Sequence, residues 1–379
     1  MPRGELALLG GSPASEATVR LAAPHFGDEC LGRVRDVLSS GMLKEGDATR
    51  EFEERFSHRV GARHGSAVCN GTAALAAAYS CALEPGDEVV VPAFTYGASA
   101  GAALRCGARP VFADVDPSTF LIDVDSLVEK IGSRTRAVLS VHLFGNVAEM
   151  NAVNEVAEDH GLCVIGDCCQ AIGSRYRGQG LGEVHDVCCY SFYPSKVITT
   201  GEGGMVTFND PEHARWIKGF KVPEGQARRQ LGVNYRFDDV RAALGLCQLD
   251  RLDSFISRRR RVARIYDGVV GGLGCVAPQR VEPHVDSCFN YYTVKLDLDG
   301  LSCGRDRFVE ALRAENVECG VYYPSPLTRH PLLGDGSDCP NAEDLSRSVL
   351  SLPMHPFLGE REIEAVAEAL GKAVSHFLR

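Results

Sequence analysis

Between residues 88 and 166 the chain switches regularly between two periodicities. Short apolar runs, Glu88 to Pro92, Pro110 to Ala113, Ala137 to Val141 and Cys163 to Ile165, read as strands. The segments between them, Ala98 to Cys106, Val124 to Ile131 and Glu149 to His160, read as helices. Strands that alternate with helices over short links join as a largely parallel sheet, with the helices covering its faces. The pattern therefore predicts an α/β chain. In such sheets functional side chains gather beyond the carboxyl ends of the strands. Tyr96, His142 and Asp167 follow three of these strands.

Two stretches outside this block add chemistry. Ser66 to Cys69 reads as a short strand, and Asn70-Gly71-Thr72 then opens an alanine-rich helix. A helix that starts straight after a strand offers free N–H groups and the positive end of its dipole to an anion such as phosphate. Further on, the apolar runs Val187 to Phe192 and Met205 to Phe208 bracket Tyr193-Pro194-Ser195-Lys196 and Gly201-Glu202-Gly203-Gly204. That reads as strand, tight loop, strand, with glycines where backbones approach closely. A lysine between two buried strands is unusual, and burial would depress its pKa and free its amine for imine chemistry. Taken singly, the helix start is equally a capped helix with no ligand, and Lys196 is equally a surface lysine.

The remaining chain frames these stretches. Leu6 to Pro13 reads as an arm that packs on the body or on a neighbour. Residues 28–40 and 47–60 read as helices, the second with Phe52, Phe56 and Val60 on one face. A helix at 211–220 precedes a polar loop around 225–230. One long helix is expected from about Asp238 to Val269, with Arg258 to Arg261 as a solvated basic face. After Gly271-Gly272 the composition changes. A strand at 291–296 and helices at 304–315 and 360–377 predict a smaller α+β domain. A chain of 379 residues suits two such domains. The expected division is 1–250 for the arm and large domain and 251–379 for the connecting helix and small domain.

The formal net charge of −10 argues against nucleic acid or a membrane surface as the main partner. No apolar run approaches membrane-spanning length, and the opening residues lack a signal pattern, which predicts a cytoplasmic protein. The 15 cysteines include no Cys-x-x-Cys. The adjacent pairs Cys168-Cys169 and Cys188-Cys189 lie in strand-like runs, where neighbours face opposite ways, so reduced buried thiols are expected. No metal site is expected, and no Gly-x-x-x-x-Gly-Lys-Ser/Thr loop occurs.

The phosphate-type helix start at Asn70-Gly71-Thr72, the aromatic Tyr96, the carboxylate Asp167 and the amine Lys196 form one constellation. Pyridoxal 5'-phosphate needs these four groups: an anion cradle, an aromatic face for the ring, a carboxylate for the ring nitrogen and a lysine for the aldehyde. The stretches GDATREFEERF (46–56), NGTAA (70–74), GDEVVVPAFTY (86–96), PVFADVD (110–116), VHLFG (141–145), DCCQAIG (167–173), SFYPSK (191–196), GEGGMV (201–206) and GVNYR (232–236) carry a resemblance over nearly the whole chain. They resemble the DegT/DnrJ/EryC1/StrS family, the sugar and cyclitol aminotransferases of fold type I.

The resemblance implies a large domain with a mostly parallel sheet, pyridoxal phosphate as cofactor, and specific residue roles. Lys196 would form the imine and shuttle a proton. Asp167 would pair with the ring nitrogen, Gln170 would hydrogen-bond the ring's phenolic oxygen, and Tyr96 would stack on the ring. Gly71, Thr72 and Ser191 would hold the phosphate. Asn234 would reach the cofactor of a neighbouring subunit, making a homodimer with shared active sites. The partners it implies are an amino donor, L-glutamate or L-glutamine, and a keto group on a nucleotide-activated sugar or a cyclitol.

The chain departs from the family pattern at Cys168-Cys169, where alanines are common, and at Thr328, where a histidine is expected. Cys169 is expected to be an inert filler near the cofactor ring. Arg228, Arg229 and Arg329 are candidates for contacting acidic substrate groups, and His142 is expected to be structural. Two rival readings are an elimination of the aminohydroxybenzoate-synthase type and a non-catalytic cofactor-binding regulator.

Overall fold

The computed structural model describes residues 5–227 and 230–379. Its centre is a seven-stranded sheet built from β1 (His64–Val68), β2 (Glu88–Pro92), β3 (Arg109–Ala113), β4 (Thr135–Val141), β5 (Cys163–Asp167), β6 (Val187–Ser191) and β7 (Gly204–Phe208). The strand order is β1-β7-β6-β5-β4-β2-β3. Pairings β3-β2-β4-β5-β6 are parallel, and only β7 runs against its neighbours β6 and β1. The expected α/β architecture with a mostly parallel sheet is therefore the observed one. The strands are nearly continuous apolar runs because both faces of the sheet are covered; Val89, Val90, Val91, Val138, Leu139 and Ile165 are fully buried.

Twelve α-helices are formed by the described residues. α1 (Asp28–Ser40) and α2 (Asp47–Arg59) precede the sheet, and α3 (Gly71–Ala82), α4 (Gly97–Arg105), α5 (Val124–Glu129), α6 (Met150–His160) and α7 (Pro211–Phe220) lie between or after its strands. Helix α3 begins where Asn70, in extended conformation, accepts the Ala73 N–H on its side chain at 2.8 Å. Its small residues let it lie buried against β6, β7, α4 and α7.

One predicted element differs. The stretch 238–269 is not one helix but α8 (Asp239–Asp250) and α9 (Leu252–Val270), broken at Arg251. The break redirects the apolar stripe. Leu252, Phe255 and Ile256 join the main core, while Val262, Tyr266 and Val270 join a second one. The arginine run is not a uniformly solvated face either. Arg259 is buried and donates through Nη1 to the carbonyls of Phe289, Asn290 and Met354 at 3.2, 3.1 and 2.8 Å. Burial pulls its pKa down to about 10.

The second core lies between α9, α10 (Arg305–Ala314), α12 (Glu360–Phe377) and an antiparallel sheet of Val276–Pro278, Tyr292–Leu296 and Val349–Leu352; α11 (Pro340–Ser348) leads into the last of these strands. The first and last strands and α11 gave no clear signal in the sequence. The N-terminal arm belongs to this core of the same chain: Leu6 and Val19 are buried in it. It is fastened by Glu315, which is fully buried and accepts the N–H groups of Ala7 and Ala14, each at 2.8 Å. Lys372 pairs with Glu315 at 3.0 Å and donates to the Ser12 carbonyl at 2.9 Å.

Candidate active site

At the carboxyl ends of β5 and β6 lies a cavity of about 570 Å³. Its position follows from the sheet: parallel strands deliver their following loops to one edge. Gly71, Thr72, Tyr96, Asp167, Gln170, Ser191 and Lys196, all predicted from the sequence, line it together.

The lysine loop is held to the start of α3. Phe192 N–H donates to the Gly203 carbonyl at 2.8 Å, and Thr199 Oγ1 donates back to the Phe192 carbonyl at 2.7 Å. A Cβ at Gly204 would sit 2.4 Å from the Asn70 carbonyl oxygen, so the glycine permits β7 to run against the helix start. Likewise a Cβ on Gly71 would lie 2.8 Å from Ser191 Cβ. The beginning of α3 and the end of β6 thus form one cradle. With Ala73 N–H satisfied by Asn70, helix geometry leaves the Gly71 and Thr72 N–H groups for another acceptor.

Lys196 faces this cradle from the loop. Burial lowers its pKa, opposed by the neighbouring Cys169 and Asp167. Asp167 ends β5 and is buried, yet its carboxylate is well supported. Oδ1 accepts the Cys169 N–H at 3.2 Å and Oδ2 accepts the Ser99 hydroxyl at 3.0 Å. Ser99 lies in turn 3.1 Å from Thr95 Oγ1. Since Ser99 donates to the carboxylate, Thr95 donates to Ser99. Tyr96 starts α4 at the rim, 62% exposed, with its ring 6.0 Å from that of Tyr323.

Cys169 lines the cavity, and burial followed by the Asp167 charge pushes its pKa well up, so it is a neutral thiol. Most cysteines of the described residues are buried. His142 is fully buried: its Nδ1 accepts Ala148 N–H at 3.3 Å, which leaves its Nε2 proton for His185 Nε2 at 3.0 Å. Burial, then His185, keeps it neutral by lowering its pKa well below the usual range. Asn234 does not line this cavity; its side chain accepts from Arg236 Nε at 3.1 Å. Arg329 also lies outside it, paired with Glu343 at 2.5 Å, and Thr328 is buried beside it. Arg228 and Arg229 lie outside the described residues.

Tyr291 and Tyr322 also line the cavity; sequence reasoning missed them, together with Ser99, Thr95 and the contact made by Tyr323. Ser99 was within reach, because it follows Tyr96 by three residues on the first turn of a helix after a strand. Among the described residues no cluster of side chains suits a metal ion, and no helix is long and apolar enough to cross a membrane.

The family model of the DegT/DnrJ/EryC1/StrS aminotransferases matches residues 24–371. The chain belongs to this family. It is 38% identical to the GDP-perosamine synthase of Caulobacter vibrioides over 369 residues, covering 94% of this chain and 98% of that one. It superposes on the solved structure of DesI in the presence of its TDP-sugar product with a TM-score of 0.90 and 31% identity, covering 98% of both chains. The sugar aminotransferase homologue Spr1654 of Streptococcus pneumoniae, solved in its PLP form, gives a TM-score of 0.86 at 26% identity over 95% of this chain and 99% of that one. The chain is thus a pyridoxal-phosphate-dependent aminotransferase of fold type I, and the donor set of the cavity fits that cofactor.

Proposed function

We propose that this aminotransferase moves an amino group from L-glutamate or L-glutamine to a keto group of a nucleotide-activated sugar or cyclitol. The observation that carries the reading is the junction of three elements in one cavity: Lys196 with a lowered pKa, the hydroxyl-supported Asp167, and the α3 start against Ser191. The bound cofactor supplies an aldehyde and an electron sink. Asp167 meets its ring nitrogen and Tyr96 covers its ring. Gln170 meets its phenolic oxygen, while Gly71, Thr72 and Ser191 hold its phosphate. Lys196 Nζ would carry the proton taken from the substrate's α carbon. The relatives named above favour a sugar nucleotide as acceptor, one being a GDP-perosamine synthase and another solved with its TDP-sugar product.

The same reading includes a cytoplasmic homodimer in which Asn234 reaches the partner's cofactor. Two observations support it. Asn234 sits away from its own cavity, and α1 with its following turn exposes Leu31, Leu38, Met42 and Leu43. Apolar side chains grouped in this way mark an interface.

The test is a visible spectrum of the purified protein before and after each amino donor, followed by acceptor sugars. A lysine-dependent band that bleaches with glutamate or glutamine, returns with a keto-sugar nucleotide and is missing in Lys196→Ala is expected. A band that no donor bleaches would overturn the donor assignment. Water loss without amino transfer would favour the elimination reading.

A further inference from the structure

The amide of Gln170 is oriented by two groups that the reading above does not use. Its Oε1 accepts the backbone N–H of Phe144 at 2.8 Å. Phe144 has φ 65° and ψ 4°, a left-handed conformation that a phenylalanine seldom adopts. That conformation belongs to the same turn that presents its N–H to Gln170. On the other side, Gln170 Nε2 donates to the hydroxyl of Tyr323 at 3.0 Å. Oxygen and nitrogen are thereby fixed: a flipped amide would set N–H against N–H at Phe144.

Tyr323 comes from the segment between α10 and α11, 153 residues away along the chain, and it lines the cavity. Burial, then the neighbouring Tyr291 and Asp167, raises its pKa well above the ordinary value, so it keeps its proton. Its oxygen accepts from Gln170, and its own O–H remains a donor. An amide nitrogen has two hydrogens, and Tyr323 takes one. The second is available to the cavity that Gln170 lines.

We propose that Tyr323 is a positioning residue: with the Phe144 N–H it locks the Gln170 amide so that a donor, not an acceptor, meets the cofactor's phenolic oxygen. The inference rests on the cofactor placement proposed above. Its consequence is a tuned proton affinity for the lysine–cofactor linkage. The phenolic oxygen carries most negative charge when the linkage nitrogen has lost its proton. A donor to that oxygen favours the deprotonated form and lowers the linkage pKa. Loosening the donor raises it.

The experiment is a pH titration of the visible band in the cofactor-loaded wild type, Tyr323→Phe, Gln170→Ala and the double variant, with cofactor stoichiometry and circular dichroism as checks of integrity. Tyr323→Phe should move the titration upward by about one pH unit, a tenfold change in proton affinity. In the Gln170→Ala background the same substitution should add no shift, because Tyr323 acts through Gln170. Gln170→Glu tests the orientation without touching Tyr323: it keeps an acceptor toward Phe144, removes the donor toward the cavity, and should also move the titration upward. An unmoved titration in Tyr323→Phe, or an equal extra shift in the Gln170→Ala background, overturns the inference while leaving the cofactor placement intact. A wild type with no lysine-dependent band overturns both.

Discussion

Replacing Lys372 by methionine should release the N-terminal arm. The ammonium makes three contacts: the Ser12 carbonyl at 2.9 Å, Glu315 Oε2 at 3.0 Å and Glu368 Oε1 at 3.1 Å. Glu315 is wholly buried, so the substitution leaves a carboxylate in the core with only the Ala7 and Ala14 N–H groups to hold it. Breaking a buried pair by removing one partner costs about 3–5 kcal/mol. Glu368, whose side chain is 55% exposed, contributes about 0–1 kcal/mol by comparison. If the loss falls on local opening of the arm, the open population rises by roughly two to nearly four powers of ten. Cleavage after Glu16 by a glutamate-specific protease, under conditions where reclosing outpaces cutting, reads that population directly. Lys372→Met should therefore be cut at Glu16 at least about a hundredfold faster than wild type, whereas Glu368→Gln should be cut at nearly the wild-type rate. Equal cleavage of Lys372→Met and wild type would refute the clip. The pair also sets an alkaline limit. Burial alone would depress the Lys372 pKa, but its bonds to Glu315 and Glu368 raise it above 10.5. Its stabilisation is thus complete below the unfolded-state value and is lost as pH rises through the folded one.

Three further outcomes are expected. Gly71→Ala forces a Cβ to within 2.8 Å of Ser191 Cβ and 3.2 Å of Cys169 Sγ, and overpacking of about 1–3 kcal/mol should weaken cofactor retention by tenfold or more in equilibrium dialysis; unchanged retention would show that the cradle can widen freely. Ser99→Ala removes a charge-assisted bond to Asp167 worth about 1.5–3 kcal/mol, and dialysis should again show weaker binding while the fold, followed by circular dichroism, persists. Arg259→Met orphans the carbonyls of Phe289, Asn290 and Met354 and should cost about 3–5 kcal/mol in urea unfolding; a loss below about 1 kcal/mol would mean that water replaces the guanidinium.

The parts of this protein that sequence exposes are those whose physics is local. The strands from β2 to β5 announce themselves as apolar runs, since a strand covered on both faces has few polar positions. Asp167 stands out because it ends a strand and Lys196 because it sits in the tight loop after one, and strand ends of a parallel sheet converge. What stayed hidden depends on partners far along the chain. The Ser99–Asp167 bond spans 68 residues and the Gln170–Tyr323 bond spans 153, so no periodicity reports them. Arg259 is one of four consecutive arginines, and only the carbonyls that surround it distinguish it from the others. The helix expected over 238–269 was too long by one break, because helical propensity is blind to the change of core at Arg251. The arm's destination was equally invisible: its contacts to Glu315 go through backbone N–H groups, which any residue but proline provides.

The place of β7 has a consequence for biosynthesis. Within the seven-stranded sheet β1 pairs with β7, which separates it from β6, and its last residue, Val68, also bridges Arg236. A growing chain makes β1 and α3 early, yet residues 69–203 must leave the ribosome before β1 finds its neighbour. Until then β1 and β6 present open edges, which invite pairing with other chains. β7 lies between β1, which leads into the Gly71 side of the cradle, and β6, which ends at Ser191. On the cofactor placement proposed above, pyridoxal phosphate should stabilise only a chain whose large sheet is already complete.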